Sequence, residues 1–255
     1  MPEIEIAKAE GVLEIQIARP QKKNALTSAM YAALADAFTA AAEDPSVKVV
    51  CIRGAQGVFT AGNDLGDFLN HPPQDGGAPV FRFIEAAAFF PKPLVAVVEG
   101  LAVGIGTTLL LHCDYVLAAP DTRFILPFVN LGLSPEAASS YLLPLRAGHA
   151  LAAELLLLGR PFDAATAQRA GLVNAIVPAE ELTGQAQQRC RQLAAQPAAA
   201  LRATKRLLKQ PYVDGVRAAL KAEQELFLER LASPEAREAF AAFAEKRAPD
   251  FSRFS

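Results

Sequence analysis

Two short apolar runs, each ending at a glycine, constrain the fold of this chain most strongly. Residues 47–53 read VKVVCIR before Gly54, and residues 94–99 read LVAVVE before Gly100. Runs of this length that are rich in β-branched residues are typical of strands buried on both faces of a parallel sheet. A helical pattern at residues 27–43 precedes the first run, so strands and helices alternate. The sequence therefore predicts an α/β core.

The elements around this core are predicted from the spacing of their apolar residues. Residues 4–17 alternate apolar and polar side chains around Gly11, which is typical of a β-hairpin with one buried face. In residues 27–43 the apolar side chains recur at helical spacing behind Thr27, a residue type favoured as an N-cap. Residues 70–79 are rich in Pro, Gly and polar side chains, so we predict a loop there.

The second half of the chain is mainly helical in pattern. We predict helices at residues 106–112, 134–143, 147–158, 163–170 and at several stretches between 180 and 247, with short strands at 115–119, 122–126 and 172–177. The late helices carry many apolar positions. These positions have to be covered either by the chain's own core or by another subunit, and the sequence leaves both open.

Composition and charge exclude several classes of protein. The 255 residues have a formal net charge of −2 and no block of Lys and Arg, so nucleic-acid binding is not expected. The three cysteines are far apart, and no histidine has a Cys or His at metal-ligand spacing, so neither a disulfide framework nor a metal site is predicted. The chain begins without a signal-peptide pattern and has no uninterrupted apolar stretch of ~18 residues. We expect a cytoplasmic protein that does not enter a membrane.

Two turns rich in small residues are candidates for binding an oxyanion. They read FTAGNDL at residues 59–65 and GLAVGIG at residues 100–106. Such turns expose backbone N–H groups, and a helix that starts after Gly106 adds its dipole. Taken alone, the glycines are also explained by tight turns. The second turn lacks the third glycine of a dinucleotide fingerprint and the lysine of a phosphate loop, so no nucleotide cofactor is predicted.

A third segment, LGLSPEAA at residues 131–138, contains a candidate base. Ser134 is predicted as a helix N-cap and Pro135 as the first helical residue, which places Glu136 in the first turn. An acid at this position ordinarily interacts only with the helix dipole. Its neighbours are Leu133 and two alanines, however, and burial among them would raise the pKa of Glu136 toward that of a useful base.

Together these motifs resemble the crotonase (enoyl-CoA hydratase/isomerase) superfamily. The resemblance rests on AGNDL at residues 61–65, on PKPLVAVVEG at residues 91–100 leading into VGIG at 103–106, and on GLV at 171–173. It extends over nearly the whole chain, from about Ile4 to Arg247.

The resemblance implies an architecture for the whole chain. It implies an α/β fold with a crotonase-like β/β/α spiral core at residues 1–195 and a helical C-terminal part at residues 196–255. The two parts are expected to form one continuous unit, with the second covering the first and contributing to assembly. The implied assembly is a homotrimer or a dimer of trimers.

The resemblance also implies how an acyl-CoA thioester would bind. In this family two turns form the oxyanion hole for the thioester carbonyl, and their positions assign the donors here to the backbone N–H groups of Asn63 and Ile105. Coenzyme A, which is part of the substrate and not a separate cofactor, is expected to contact Ala25, Ala61, Asp64 and Leu65, with Lys23 and a neighbouring subunit's Lys246 near its phosphates. The acyl chain is expected to contact Leu126, Phe128 and Leu133.

The acidic residues favour one member of the family. Hydratases of this family use two glutamates, and those positions hold Thr108 and Phe128 in this chain, so hydration by that mechanism is expected to fail. The mitochondrial type of isomerase keeps the second glutamate, from which Phe128 also departs. The peroxisomal type of Δ3,Δ2-enoyl-CoA isomerase instead carries its base in an LGxSPE segment followed by SSY. This chain reads LGLSPE at residues 131–136 and SSY at 139–141.

This likeness implies a Δ3,Δ2-enoyl-CoA isomerase that uses Glu136 as its single acid and base. Two alternatives stay open. The chain could catalyse another crotonase-type enolate reaction on an unusual acyl-CoA, such as a ring-derived one. It could also be an acyl-CoA-binding partner that has lost catalysis, a hypothesis that the missing hydratase acids favour and Glu136 opposes.

Overall fold

The protein is described by a computed structural model that covers residues 2–254 and contains two sheets with helices packed around them. The strands of the described residues are β1 (Ile4–Ala9), β2 (Val12–Ile17), β3 (Val49–Gly54), β4 (Leu94–Val98), β5 (Leu101–Val103), β6 (Tyr115–Ala118), β7 (Arg123–Ile125), β8 (Phe162–Asp163) and β9 (Ala175–Ile176). The helices are α1 (Ser28–Glu43), α2 (Leu65–Asn70), α3 (Pro79–Ala88), α4 (Ile105–Thr108), α5 (Ser139–Ala147), α6 (His149–Leu158), α7 (Ala164–Arg169), α8 (Ala179–Ala194), α9 (Ala198–Lys209), α10 (Val213–Leu231) and α11 (Pro234–Ala244).

The larger sheet has the strand order β1-β2-β3-β4-β6-β9. β1 and β2 form an antiparallel hairpin, and the remaining neighbours pair in parallel, with Val12 opposite Val49 and Val50 opposite Leu94. All five residues of β4 are buried, which explains why this central strand is an uninterrupted apolar run. The hairpin and the parallel α/β core predicted from the sequence are both confirmed.

The chain passes from the larger sheet to the smaller one at Gly100. The smaller sheet has the order β5-β7-β8, and β5 begins one residue after this glycine. Gly100 has a φ of +64°, and a Cβ at this position would lie 2.3 Å from the carbonyl oxygen of Gly57. Only glycine fits such a position without a shift of the backbone. The glycine that ends the second apolar run therefore joins the two sheets.

The apolar core lies on both faces of the larger sheet. On one face the sheet packs against α1 and α3, where Phe38 and Phe83 meet edge to face with ring centroids 5.5 Å apart. On the other face a smaller cluster, which includes Val95 and Cys190, packs under α8. Phe227 of α10 belongs to the same cluster as Phe38, so the late helices share the main core. The boundary expected near residue 195 stays a prediction.

Most of the predicted helices and strands are present, and two need correction. Helix α1 begins behind Thr27, whose Oγ1 accepts the N–H of Met30 at 3.3 Å, as predicted. The strand expected at residues 172–177 is limited to Ala175–Ile176. Gly171 has a φ of +71° and Leu172 donates its N–H back to Ala167, so this part of the segment completes the turn after α7.

The helix expected to start behind Ser134 begins five residues later, at Ser139. The Oγ of Ser134 is buried without a hydrogen-bond partner, so it does not act as an N-cap, and Pro135 is not helical. Ala137 and Ala138 have φ values of +58° and +55°, which interrupt a right-handed helix. Glu136 therefore lies on a loop before α5 instead of in its first turn.

We predict that the core between α1 and α3 is essential for stability. Phe38→Ala removes a fully buried ring and should lower the free energy of unfolding by about 3–5 kcal/mol. Urea denaturation followed by circular dichroism measures this change. Leu157→Ala, at a side chain that is 68% exposed, is the matched control and should change it by less than about 0.5 kcal/mol. Equal effects of the two substitutions would contradict the assignment of the core.

Candidate active site

The two small-residue turns meet at one large cavity, which we call the main cavity. It has a volume of about 640 Å³. Its wall combines both turns, the segment around Phe128 to Glu136, and aromatic side chains of the late helices. The residues of the wall are Lys22, Ala25, Ala61, Gly62, Asn63, Asp64, Leu65, Gly66, Phe68, Val103, Gly104, Ile105, Ile125, Pro127, Phe128, Leu131, Leu133, Glu136, Phe227, Phe240 and Phe243.

The first turn is held by a short parallel bridge to the segment before α1. Leu26 donates its N–H to the carbonyl oxygen of Gly62 at 2.8 Å, and Asp64 donates its N–H to the carbonyl oxygen of Leu26 at 2.8 Å. These bonds use the backbone groups on either side of Asn63. Within residues 2–254 the N–H of Asn63 itself has no acceptor. It is available to a ligand in the main cavity.

The second turn presents a comparable N–H group. Gly104, with a φ of +55°, donates its N–H to the carbonyl oxygen of Ile125 at 2.9 Å and precedes α4. Ile105 is the first residue of α4, and no acceptor for its N–H occurs in the part of the chain that the structure describes. A first-turn N–H of a helix is an orphan donor that favours a negative charge. Asn63 and Ile105 are thus suited to bind an oxyanion between them.

The two turns are in direct contact through a glycine. Gly62 has a φ of +82°, and a Cβ on it would lie 2.7 Å from the carbonyl oxygen of Val103. A side chain at this position would push the turns apart. The close approach explains why the AGNDL segment carries a glycine directly before Asn63.

Glu136 is a buried carboxyl in the wall of this cavity. Its side chain accepts a hydrogen bond from Oγ1 of Thr108 at 2.8 Å. Burial disfavours the ionised form and raises the pKa of Glu136 to about 7, although the hydrogen bond from Thr108 opposes the rise and the nearby carboxyl of Glu223 adds to it. Near neutral pH both protonation states are populated. Such a carboxyl can accept a proton and return it.

A tyrosine that the sequence analysis did not single out supports the first turn. The hydroxyl of Tyr31 on α1 donates to Oδ1 of Asn63. Burial raises the pKa of Tyr31 well above its usual value, and the carboxyl of Glu136 contributes to the rise, so the hydroxyl stays protonated. The signal that could have found it is a hydroxyl on the otherwise apolar face of α1, since a buried hydroxyl needs a partner.

Nine of the residues implied by the resemblance lie together in the wall of the main cavity. They are Ala25, Ala61, Asn63, Asp64, Leu65, Ile105, Phe128, Leu133 and Glu136. The side chain of Asp64 is already engaged, because it caps α2 and accepts from Arg19 at 2.7 Å. Those contacts lower its pKa. Its backbone is left as the group that could contact a substrate.

Three implied residues lie outside this wall. Leu126 is 1% exposed and packs into the core, so it does not line the main cavity. Lys23 has a φ of +51° and does not line the main cavity, whereas the preceding residue, Lys22, does. Lys246 follows α11 and is exposed. Its expected contact involves a neighbouring subunit and stays a prediction.

A second cavity adjoins Glu136 away from the two turns. It has a volume of about 220 Å³ and is lined mainly by α3 and α10, including Phe81, Leu220 and Glu223. Glu136 and Phe227 line both cavities. The buried carboxyl of Glu136 therefore lies where the two cavities meet.

The described residues contain neither a cluster of metal ligands nor a helix that could span a membrane. Among residues 2–254 no three His, Cys, Asp or Glu side chains are grouped so that they could hold a metal ion. In the same residues, none of the helices combines the length and the apolar character that crossing a membrane requires.

An α/β core in which two N–H-bearing turns meet beside a buried carboxyl defines a class of enzyme that stabilises an oxyanion during proton transfer. The model of the family described as enoyl-CoA hydratase/isomerase matches residues 7–253. The chain belongs to this family and is an enzyme of the crotonase superfamily, with the α/β crotonase fold that the resemblance implied.

Individual relatives support this assignment. The chain is 34% identical to the 2,3-dehydroadipyl-CoA hydratase of Escherichia coli over 98% of its own length and 99% of that protein. It is 39% identical to enoyl-CoA delta isomerase 2 of Rattus norvegicus over 78% of its own length and 52% of that longer protein. A crystal structure of an enoyl-CoA hydratase/isomerase from Pseudoalteromonas atlantica superposes with a TM-score of 0.94, at 41% identity, covering 98% of this chain and all of that one.

We predict that Glu136 makes stability fall as the pH rises. Its pKa in the folded chain, about 7, exceeds the ordinary value of 4.5, so folding favours the protonated carboxyl. The stabilisation is fully present below pH 4.5 and is lost as the pH rises through 7. Between pH 5 and pH 8 the wild type should lose about 2–3 kcal/mol more unfolding free energy than Glu136→Gln. Urea titrations of both proteins at the two pH values measure this difference, and parallel pH dependences would show that the pKa of Glu136 is not raised.

Proposed function

We propose that this enzyme is a Δ3,Δ2-enoyl-CoA isomerase, which moves a double bond from position 3 to trans-2 of an acyl-CoA. The observation that carries the proposal is the carboxyl of Glu136, buried beside both turns with a pKa of about 7. The reaction removes one proton and adds another, so one carboxyl that is populated in both states is sufficient.

In the proposed mechanism the thioester oxygen is bound by the N–H groups of Asn63 and Ile105. Glu136 takes a proton from the α carbon, and the electron pair of the broken C–H bond forms a dienolate. The two N–H groups stabilise its negative oxygen. Glu136, now protonated, returns the proton to the γ carbon and is a carboxylate again. If they resemble measured oxyanion donors, each N–H lowers the barrier by about 2.7–4 kcal/mol.

The surroundings of Glu136 favour isomerisation over hydration. Water addition in this family needs two glutamates, and their positions hold Thr108 and Phe128 here. Thr108 donates its hydroxyl to Glu136, and Phe128 presents an apolar ring to the main cavity. Neither side chain can deprotonate water at neutral pH. Leu133 in the same wall adds to the apolar surroundings that keep the pKa of Glu136 high.

Hydration is the second candidate, because a relative that matches the full length of the chain is named a hydratase. The relative named delta isomerase supports the first candidate. The chemistry of Thr108 and Phe128 leads us to prefer isomerisation.

The proposal includes the form in which the substrate binds and the enzyme assembles. Coenzyme A would enter as part of the thioester, with no further cofactor and no metal. We propose a homotrimer or a dimer of trimers, since α9 and α10 expose Leu207, Leu208 and Leu226 to a potential subunit contact. We also propose that it binds neither nucleic acid nor membrane. We place it in the cytoplasm because its three cysteines are free thiols, as expected in a reducing compartment.

We predict that Glu136→Gln lowers kcat on a 3-enoyl-CoA by at least about 100-fold, since the amide can neither accept nor return the proton. The formation of trans-2-enoyl-CoA, followed by its ultraviolet absorbance, measures the loss. Glu154→Gln, at an exposed glutamate on α6, is the matched control and should retain wild-type activity. Undiminished isomerisation by Glu136→Gln would reject the mechanism.

We further predict that the wild type, given 3-hexenoyl-CoA in heavy water, converts the substrate to trans-2-hexenoyl-CoA. Deuterium should enter the α and γ carbons in every turnover in which the proton on Glu136 exchanges with solvent before it is returned. Mass spectrometry and proton NMR identify the labelled positions. The accompanying test supplies trans-2-hexenoyl-CoA and measures 3-hydroxyhexanoyl-CoA, which should stay near the uncatalysed level. Rapid water addition would establish the hydratase instead. Exchange at the α carbon without a double-bond shift would indicate another enolate reaction. Binding with neither a double-bond shift nor exchange would indicate a non-catalytic partner.

A further inference from the structure

The residues directly after Glu136 form an unusual turn. Ala137 and Ala138 are consecutive, both buried, and both have φ near +55°. Alanine adopts this region only when surrounding contacts compensate the strain. The turn directs the chain from the loop that carries Glu136 into α5, so its shape sets where the carboxyl of Glu136 lies.

A buried carboxyl from a distant helix holds this turn. Glu223 lies on α10, 85 residues beyond Ala138, and its side chain is 6% exposed. One carboxyl oxygen accepts the N–H of Ala138 at 2.6 Å, and the other accepts the N–H of Ser140 at 2.8 Å and the hydroxyl of Ser140. Burial raises the pKa of Glu223, and the hydrogen bonds from Ser140 and Ala138 oppose that rise. Both oxygens act as acceptors, which is the pattern of an ionised carboxylate.

A histidine contacts the turn from another element. Nε2 of His112 lies 2.8 Å from the carbonyl oxygen of Ala137. Burial lowers the pKa of His112 to about 3, so its ring is neutral, and the contact places the hydrogen on Nε2. The turn is thus bonded through an N–H of Ala138 to Glu223 and through a carbonyl of Ala137 to His112.

Helix capping alone does not explain Glu223. The N–H groups at the start of α5 need acceptors, and a short Ser, Thr or Asp next to them would supply one. Here the acceptor is a buried carboxylate from another part of the chain, and within residues 2–254 it forms no salt bridge. Burying an uncompensated charge is costly. Glu223 also lines the second cavity beside Glu136.

We propose that Glu223 is a positioning residue for proton transfer by Glu136. Its carboxylate fixes the turn at Ala137 and Ala138, and this turn keeps the carboxyl of Glu136 between Thr108 and the main cavity. The inference rests on the proposed role of Glu136 as the acid and base.

The charge of Glu223 should have a measurable effect on the pKa of Glu136, because several other groups that face Glu136 carry no charge. Thr108 on α4 donates a hydrogen bond, Tyr31 on α1 stays protonated, and His112 behind the turn is neutral. Lys22 and Asp64 line the main cavity, and Glu85, Arg217 and Lys221 line the second cavity. Of the charged groups around Glu136, the carboxyl of Glu223 on α10 is the one that raises its pKa. Removing the charge should lower the pKa of Glu136.

The test compares Glu223→Gln with Glu225→Gln, an exposed position two residues further along α10. In Glu223→Gln we expect kcat on a 3-enoyl-CoA to fall about 10–100-fold, because misplacing a catalytic group costs rate more than binding, with KM changed by less than about threefold. The pKa of Glu136, measured by carbon NMR on glutamate-labelled protein and assigned with Glu136→Gln, should decrease. Glu225→Gln should match the wild type in both measurements.

Two further variants cover the possibility that Glu223→Gln does not fold. Glu223→Asp keeps the charge but shortens its reach, so kcat should fall while the pKa of Glu136 stays raised. Ser140→Ala removes one donor and should lower kcat by a smaller factor. The proposal would be overturned if the variants that fold kept both the wild-type kcat and the wild-type pKa of Glu136. It would also be overturned if their activity fell only in proportion to the fraction of protein that is folded. The NMR titration needs no turnover, so it tests Glu223 even if the wild type proves not to be an isomerase.

Discussion

The pairing of residues 59–62 with residues 99–103 is the contact on which the site depends. Phe59 and Thr60 donate their N–H groups to Glu99 and Leu101 at 2.8 and 3.0 Å, and Val103 donates back to Thr60 at 3.1 Å. These bonds join the segment before the first turn to the segment that connects the two sheets. Because the second turn follows that segment, the two turns lie next to each other. The N–H groups of Asn63 and Ile105 are then oriented by the backbone, and the hydroxyl of Tyr31 supports the first turn. The proposed oxyanion would therefore form with little reorganisation of the site.

The site combines a buried carboxyl, which is costly to ionise, with backbone N–H groups, which carry no net charge. In the proposed mechanism the two oxyanion donors are backbone amides, which the fold supplies without any ionisable residue. The acid at Glu136 is instead destabilised by burial, since its carboxyl has a raised pKa and accepts from Thr108. Burial of this carboxyl costs folding free energy near neutral pH, and the proposed mechanism uses the resulting raised pKa for proton transfer, a trade-off common at active sites.

The sequence predicted the α/β core well because local patterns dictate it. The apolar run at residues 94–98, the hairpin around Gly11 and the cap at Thr27 each depend on neighbours in the chain. The composition of the two turns and the neighbours of Glu136 made them candidates, and the resemblance assigned their roles, which stay predictions. The predicted start of α5 was wrong, because Ala137 and Ala138 have positive φ and interrupt the helix that Ser134 and Pro135 signal. Contacts such as Tyr31 to Asn63 and Glu223 to Ala138 join residues 32 and 85 positions apart, and no local pattern reports them.

The aromatic wall of the main cavity has a consequence for synthesis of the chain. Phe227, Phe240 and Phe243 close a cavity whose other residues lie between positions 22 and 136. Domains begin to fold from the N-terminal side as the chain leaves the ribosome. The sheets and turns can form while α10 and α11 are still being made, but the cavity stays open to water. An incomplete chain therefore has the groups for proton transfer without the dry surroundings that give Glu136 its pKa.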